Sequence, residues 1–327
     1  MCGRMTYKRE LDIAIKAVAR ACGLCTTVQR TLVTADTVAK KDRSPVTVAD
    51  FGVQAVVAAD LIAAFPDVPM VGEEDASQLR GADGAALRGK VCTAVRAIDP
   101  RLSEQHILAA IDYGTYTGGA SGRHWALDPI DGTKGFLRGD QYAVALALVE
   151  NGQVVLGVLG CPNLPMRAAD PEGPRGCLFF AQRGGGAFQR TIDAAESTPI
   201  HVSAVDDPAQ ATFCESVESA HTAQDDSARI AQRLGVTAPP FRIDSQCKYA
   251  AIARGDSAIY LRMPTRADYE EKIWDHAAGA IIVTEAGGRV TDITGAPLDF
   301  SLGRTLRNNR GVVATNGLLH DRVIAAV

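Results

Sequence analysis

The segment Trp125-Ala126-Leu127-Asp128-Pro129-Ile130-Asp131-Gly132-Thr133 packs two carboxylates, a free backbone carbonyl and a hydroxyl into one short stretch. An apolar run of strand character ends on Asp128. Pro129, which has no N–H, should forbid its continuation in a ladder. Gly132 permits a tight turn, and Thr133 presents a hydroxyl beyond it. Two carboxylates at a strand end, with the Ile130 carbonyl between them, suit a hard cation. Magnesium takes oxygen ligands in near-octahedral geometry and keeps some waters for chemistry. Taken alone, the same residues fit an Asx-turn equally well.

Three other acidic features sit in comparable places. Glu73-Glu74-Asp75 follows a short strand ending at Gly72, Asp50 lies near the beginning of a helix, and Asp275 stands in Ile273-Trp274-Asp275-His276 at another helix start. Alone, Asp50 or Asp275 would be a favourable charge near a helix N-terminus, and Glu73–Asp75 a solvated charge run. Together they form a set of carboxylates that would repel one another, which cations between them would explain.

These motifs resemble the magnesium-dependent, lithium-sensitive phosphatases. That family includes inositol monophosphatases, inositol polyphosphate 1-phosphatases, fructose-1,6-bisphosphatases and 3′(2′),5′-bisphosphate nucleotidases. Its pattern appears here, in order, as Gly72-Glu73-Glu74, Asp128–Thr133 and Trp274-Asp275, and the resemblance runs from Tyr7 to Asn316. Lys134-Gly135-Phe136-Leu137-Arg138 is similar to the bisphosphate nucleotidase branch. So are Asp244–Tyr249, Tyr260-Leu261-Arg262, Tyr269–Gly279 and Pro297–Phe300.

The resemblance implies an α+β or α/β chain folded as a layered αβαβα sandwich. It implies a phosphomonoesterase that converts 3′-phosphoadenosine 5′-phosphate to AMP and phosphate and also accepts 3′-phosphoadenosine 5′-phosphosulfate. Glu73, Asp128 and the Ile130 carbonyl would hold one Mg2+. Asp128, Asp131 and Asp275 would hold a second, and a weaker third would lean on Glu73 through water. Two such cations generate a nucleophile and stabilise the leaving oxygen in an in-line displacement. Asp50 and Thr133 would form the general-base relay. Gly132, Thr133, His221, Ser245, Lys248 and Arg262 would contact substrate. Of these, Lys248 and Arg262 would receive the 5′-phosphate and His221 the adenosine. Inositol monophosphatase or inositol polyphosphate 1-phosphatase activity is the rival enzymatic reading. A catalytically silent nucleotide sensor should have lost a ligand or Thr133, and none is lost.

Positioning these residues requires a sizeable scaffold. Leu11, Ile15, Val18 and Cys22 recur at helical spacing, predicting a helix over about 7–30. Ser44-Pro45 can open a second helix with a stripe through Val53, Val56, Val57, Leu61 and Ala64, stopped by Pro66. Val68–Gly72 reads as a strand, 76–97 as a mobile loop, and Ser103 as the start of a short helix. Strands are expected at Trp125–Asp128, Tyr142–Val149, Val154–Leu159 and Cys177–Gln182, with a hairpin turn at Asn151-Gly152. The last third alternates strands near 211–217, 257–262, 289–292 and 311–315 with helices near 225–234, 246–253 and 273–286. The Pro- and Gly-rich stretch 162–176 suggests a hinge. It would divide an α+β domain, 1–160, carrying most metal ligands, from an α/β domain, 161–327, carrying the nucleotide contacts and Asp275.

Composition bounds the rest. The chain has 327 residues, 46% hydrophobic and 22% charged, which excludes wholesale disorder. The charge sum, 34 − 38 = −4, offers no basic surplus for nucleic acid. Apolar runs such as Tyr142–Val149 fall short of the roughly 18 residues of a membrane span. Arg4, Lys8 and Arg9 come without an apolar stretch before them, so no secretory leader is expected. Eight cysteines are too sparse for a disulfide scaffold, and the one close pair, Cys22 and Cys25, lies in a helical pattern. They read as buried reduced thiols. These features predict a cytoplasmic monomer acting on a small-molecule nucleotide, with no membrane or nucleic-acid partner.

Overall fold

Apolar residues at every third or fourth position from Leu11 to Val28 give helix α1 (Lys8–Leu32) one buried face. Helix α2 (Ser44–Ala64) is buried almost all round, through Val48, Phe51, Val53, Val56, Val57 and Leu61. Its stretch Thr47–Ala64 is long and apolar enough to cross a membrane, yet 67% of it is buried within the fold, as in a core helix. The computed structural model describes residues 6–33, 44–217, 224–264, 266 and 268–327.

Strands β1 (Met70–Gly72), β2 (Arg123–Asp131), β3 (Ala143–Glu150), β4 (Gln153–Pro165), β5 (Arg175–Gln182), β6 (Ala187–Thr191) and β7 (Thr198–Ile200) form one sheet in chain order. β1 pairs parallel with β2, and every later neighbour is antiparallel. α1 and α2 cover one face. The helices Cys247–Ala253 and Ala277–Glu285 cover the other. Those two helices also pack against a second sheet, built from β8 (Phe213–Glu215), β9 (Phe241–Arg242), β10 (Ile259–Arg262), β11 (Arg289–Thr291) and β12 (Val312–Thr315) in the order β11-β12-β10-β8-β9. Gln224–Arg233 and His320–Ala326 close its outer side around Phe213, Ile259, Leu261, Val313 and Val323. The result is the expected αβαβα sandwich.

The structure corrects three local expectations. Residues 76–97 hold two helices, Ser77–Arg80 and Ala85–Ile98, the second anchored by buried Val91, Cys92 and Val95. Their apolar spacing was masked by the glycines and charges between them. The division at 160 falls inside β4, where Gly160 pairs with both Val144 and Leu178. The chain instead passes from the first sheet to the second after Ile200. Third, β2 does not stop at Asp128. It runs through Pro129 to Asp131, with Asp128 opposite Ala145 and Asp131 opposite Ala143. Three steps on β2 therefore face two on β3. This one-residue bulge takes up the proline's missing donor.

The seven described cysteines, Cys22 and Cys25 among them, are all buried and free.

Candidate active site

The bulge decides the site. Alternate residues of a regular strand point to opposite faces, so carboxylates three positions apart would face away from each other. One extra residue restores them to a common side, and Asp128 and Asp131 line the same cleft. The cleft, of about 190 Å³, is also lined by Glu73, Ile130, Gly132, Thr133, Ser245, Lys248, Arg262 and Asp275. Residues some 200 positions apart in the chain thus meet at the edge between the two sheets.

Each acidic side chain is delivered by its own device. Glu73 follows β1 directly. Buried Gln54 of α2 fixes its loop: Nε2 donates to the Glu74 and Ile111 carbonyls, both at 2.6 Å, and Oε1 accepts from Glu74 N at 3.1 Å. Gln54 lies so close that a Cβ on Gly72 or Gly114 would come within 2.5 Å and 2.4 Å of its amide, so both positions need glycine. Asp131 Oδ2 accepts from Gln246 N at 2.5 Å. The same glutamine donates through Nε2 to Trp274 O at 2.8 Å and accepts from Gly279 N at 3.1 Å. Gln246 therefore ties Asp131 to the turn bearing Asp275. Gly132 has φ 88, and a Cβ there would sit 2.9 Å from Ser245 Cβ. Ser245 itself adopts φ 65, an unusual conformation for a residue with a side chain.

The electrostatics are those of crowded anions. Asp128 is 3% exposed, and its Oδ1 is buried without a hydrogen-bond partner. Burial first, then Glu73, Asp131, Asp275 and Asp50, push its carboxyl well above the usual range. Glu73 reaches solvent at the cleft mouth. Enclosure by surrounding protein, then Asp275, Glu74 and Asp131, push it up to about 8, while a hydrogen bond with Asp128 opposes the rise. Asp131 rises to about 6 through burial and Asp275, restrained by Lys248, Arg262 and the Gln246 N–H. An orphaned buried carboxylate oxygen amid all-oxygen donors fits a hard divalent cation.

Two cations, Lys248 and Arg262, line the same cleft beside these carboxylates. Lys248 is 5% exposed, with Nζ 3.5 Å from Ile243 O and 5.4 Å above the Tyr260 ring. Burial lowers its pKa. Arg262 Nη2 lies 2.8 Å from Glu271 Oε2 and 3.2 Å from Asp275 Oδ2. Glu271 in turn meets His276 Nε2 at 3.1 Å, and His276 Nδ1 meets the Tyr249 hydroxyl at 2.7 Å. Burial opposes it, yet His276 and Arg262 hold Glu271 down at about 2. Ligand atoms of Glu271, Asp275 and His276 lie within 4.8 Å of one another. A cation there would compete with the Arg262 guanidinium already seated on two of them, so this trio is an ion-pair network.

Asp50 is not on the cleft wall. It lies in the second turn of α2, 8% exposed, with Oδ1 unpartnered. Burial, then Glu74 and Glu73, push its carboxyl well up. Among the described residues no hydrogen bond joins it to Thr133, whose side chain is exposed in the cleft. His221 lies outside the described residues. Sequence reasoning missed Gln54, Gln246 and Glu271. A single polar residue within the run Phe51–Ala59 was the available signal for Gln54.

The chain as a whole is similar to known proteins. The family model described as the inositol monophosphatase family matches residues 7–327. A 3′(2′),5′-bisphosphate nucleotidase of Emericella nidulans is 48% identical, covering 99% of this chain and 98% of the relative. One from Schizosaccharomyces pombe is 45% identical over 98% of this chain and 96% of its own length. Among solved structures, an inositol monophosphatase from Anabaena superposes with a TM-score of 0.63 at 23% identity, covering 98% of this chain and 96% of that one. That likeness shows the fold alone. With the match running from Tyr7 to the last residue, and with near-full-length relatives approaching half identity, this chain belongs to the inositol monophosphatase family.

Proposed function

We propose that this chain is a 3′(2′),5′-bisphosphate nucleotidase. It removes the 3′-phosphate of 3′-phosphoadenosine 5′-phosphate, giving AMP and phosphate, and takes 3′-phosphoadenosine 5′-phosphosulfate as well. The observation that carries the reading is that one cleft gathers Glu73, Asp128, Asp131 and Asp275 together with Lys248 and Arg262. A substrate with two phosphates needs two kinds of reception. The scissile group requires cations held by carboxylates, and the distant group requires fixed protein cations. The relatives that carry this activity in their names match nearly end to end.

In this reading Glu73, Asp128 and the Ile130 carbonyl hold one Mg2+, and Asp128, Asp131 and Asp275 hold another, with a weaker third near Glu73. Bound magnesium supplies charge neutralisation of the phosphate and an activated water. The chain's own residues orient and exclude. Thr133 Oγ accepts a hydrogen from the attacking water while donating its own toward Asp50, whose buried carboxylate has no other partner for Oδ1. Gly132 leaves room for Ser245 and the phosphate to approach the backbone. Lys248 and Arg262 hold the 5′-phosphate, and His221 contacts the adenosine. Lithium, similar to magnesium in size but with half its charge, should compete for the weakest cation position and inhibit. Seven free described thiols suit the reducing cytosol, where the enzyme would act as a monomer on a small molecule, apart from membranes and nucleic acid.

The test is phosphate release across a panel: the bisphosphate nucleotide, the sulfonucleotide, inositol 1-phosphate and inositol 1,4-bisphosphate, each with and without magnesium. Faster turnover of an inositol phosphate than of the nucleotides would overturn the substrate assignment. No release from any of them would overturn the enzymatic one.

A further inference from the structure

Arg304 belongs to no motif and does not line the cleft, yet it touches both acidic segments that do. Its Nη2 donates to Gly72 O at 2.6 Å, and its Nη1 donates to Gly114 O and Tyr116 O, both at 3.2 Å. Gly72 immediately precedes Glu73. The face of the same guanidinium lies 4.7 Å from the centre of the Trp274 ring, and Trp274 immediately precedes Asp275. The main chain of the arginine completes the connection. Arg304 O accepts from Ile273 N at 3.1 Å, Leu306 N donates to Glu271 O at 2.8 Å, and Lys272 bridges Thr305 antiparallel. The approach is tight: a Cβ on Gly303 would lie 2.9 Å from Thr117 O.

We propose that Arg304 is a positioning residue that sets the separation of Glu73 and Asp275, and so the metal affinity of the cleft. Glu73 follows a strand of the first sheet, and Asp275 comes from the turn leading into the helix Ala277–Glu285 that lies between the two sheets. Among the described residues no hydrogen bond joins these two acids, and their charges push them apart. A planar group with five donors can hold three carbonyls and stack on an indole at once. A lysine in its place keeps the charge but brings a point donor and no plane. Its charge also lies near Glu73 and Asp75, favouring their ionised forms. The inference rests on the metal-dependent reading of the site.

The experiment compares Arg304→Lys and Arg304→Ala with Arg254→Ala. Arg254 is a guanidinium that likewise grips two carbonyls, Pro165 O at 2.9 Å and Met166 O at 3.1 Å, but on a wall away from the cleft. Magnesium binding is measured by calorimetry on the metal-free chain, alongside the magnesium concentration for half-maximal activity and the Tm. Groups that orient metal ligands from behind are worth about 10–100-fold in metal affinity. Both Arg304 variants should therefore bind magnesium about tenfold or more weakly and need correspondingly more of it. kcat at saturating metal should be largely recovered, while Arg254→Ala lowers Tm without changing either magnesium value. If Arg304→Ala does not fold, Arg304→Lys decides. Unchanged magnesium binding in the Arg304 variants overturns the proposal while leaving the phosphatase reading intact. An equal loss in Arg254→Ala overturns it too, because general loosening would then suffice. No magnesium binding by the unaltered chain overturns the metal reading and this proposal together.

Discussion

Arg262 Nη2 lies 3.2 Å from Asp275 Oδ2, so the cation assigned to the substrate's distant phosphate is paired with a carboxylate assigned to a metal. The second anchor of that guanidinium, Glu271, is itself held by His276. In the proposed roles, substrate recognition and metal binding would share one ion-pair network through Arg262.

This sharing separates Lys248 from Arg262. Lys248→Ala should cost the bisphosphate nucleotide about ten- to hundredfold in kcat/KM, since a charge-assisted hydrogen bond is worth about 1.5–3 kcal/mol. A substrate with one phosphate should be nearly unaffected. Arg262→Ala should depress both substrates, because it also leaves Asp275 and Glu271 unpaired. The check is kcat/KM for both variants on both substrates. An Arg262→Ala that spares the one-phosphate substrate would show that its contact with Asp275 has no bearing on the metal.

Asp128→Asn should reduce activity to below a tenth of the original at saturating magnesium, a barrier increase above about 1.4 kcal/mol. It removes the one carboxylate assigned to both cations. It also removes a buried charge amid Glu73, Asp131 and Asp275, so the metal-free variant should melt no lower than the original chain. Thermal unfolding without metal, together with phosphate release with it, tests both halves. Retained activity would mean that Asp128 bridges nothing.

The acidic site was legible because its parts are local. Asp128, Ile130, Asp131, Gly132 and Thr133 are contiguous, and Glu73 and Asp275 each sit beside a tryptophan or glycine in a short recognisable motif. The bulge was not legible. A proline after a strand reads as a stop, and only the partner strand, with Ala145 and Ala143 in register, shows that pairing resumes. Gln54, Gln246 and Arg304 were missed for a similar reason. Their partners lie far off in sequence, 232 positions in the case of Arg304 and Gly72, and no periodicity marks them. Glu271 differs, since Arg262 and His276 lie only nine and five positions away. The helix Ala85–Ile98 was lost to composition, since its buried stripe is only Val91, Cys92 and Val95.

The crowded carboxylates predict a pH signature. Glu73 rises from 4.5 to about 8 and Asp131 from 3.8 to about 6 in the folded chain. A carboxyl raised on folding contributes stability that is fully present below its unfolded value and lost as pH rises through its folded value. The metal-free chain should thus lose stability between about pH 4.5 and pH 8 from these groups. Buried His124 and His320, both lowered to about 4, act the other way over the acid part of that range. The clean measurement is therefore the difference in Tm with and without magnesium, in which the histidines cancel. Magnesium binds the ionised set, so this difference should grow from about pH 5.5 to about pH 8.5. A magnesium effect no larger at the higher pH would mean that these acids are not its ligands.

Thr133 and Asp50 are proposed to act as one unit, and a unit has a kinetic signature. Thr133→Ala removes a hydroxyl from the cleft without removing an assigned metal ligand. It should lower kcat by about 10²–10⁴-fold, the usual worth of general-base assistance, with little change in KM. Asp50→Asn should lower kcat to a similar extent although Asp50 does not line the cleft, because the asparagine amide cannot take up the threonine proton. Removing the buried, unpartnered charge should at the same time raise the metal-free Tm, so a loss of activity could not be blamed on unfolding. The double variant should be no slower than the worse single one, since residues acting in one step are far from additive. Multiplied losses would make them separate contributors. A normal kcat in Asp50→Asn beside a slow Thr133→Ala would leave the hydroxyl orienting water alone and end Asp50's part in the chemistry.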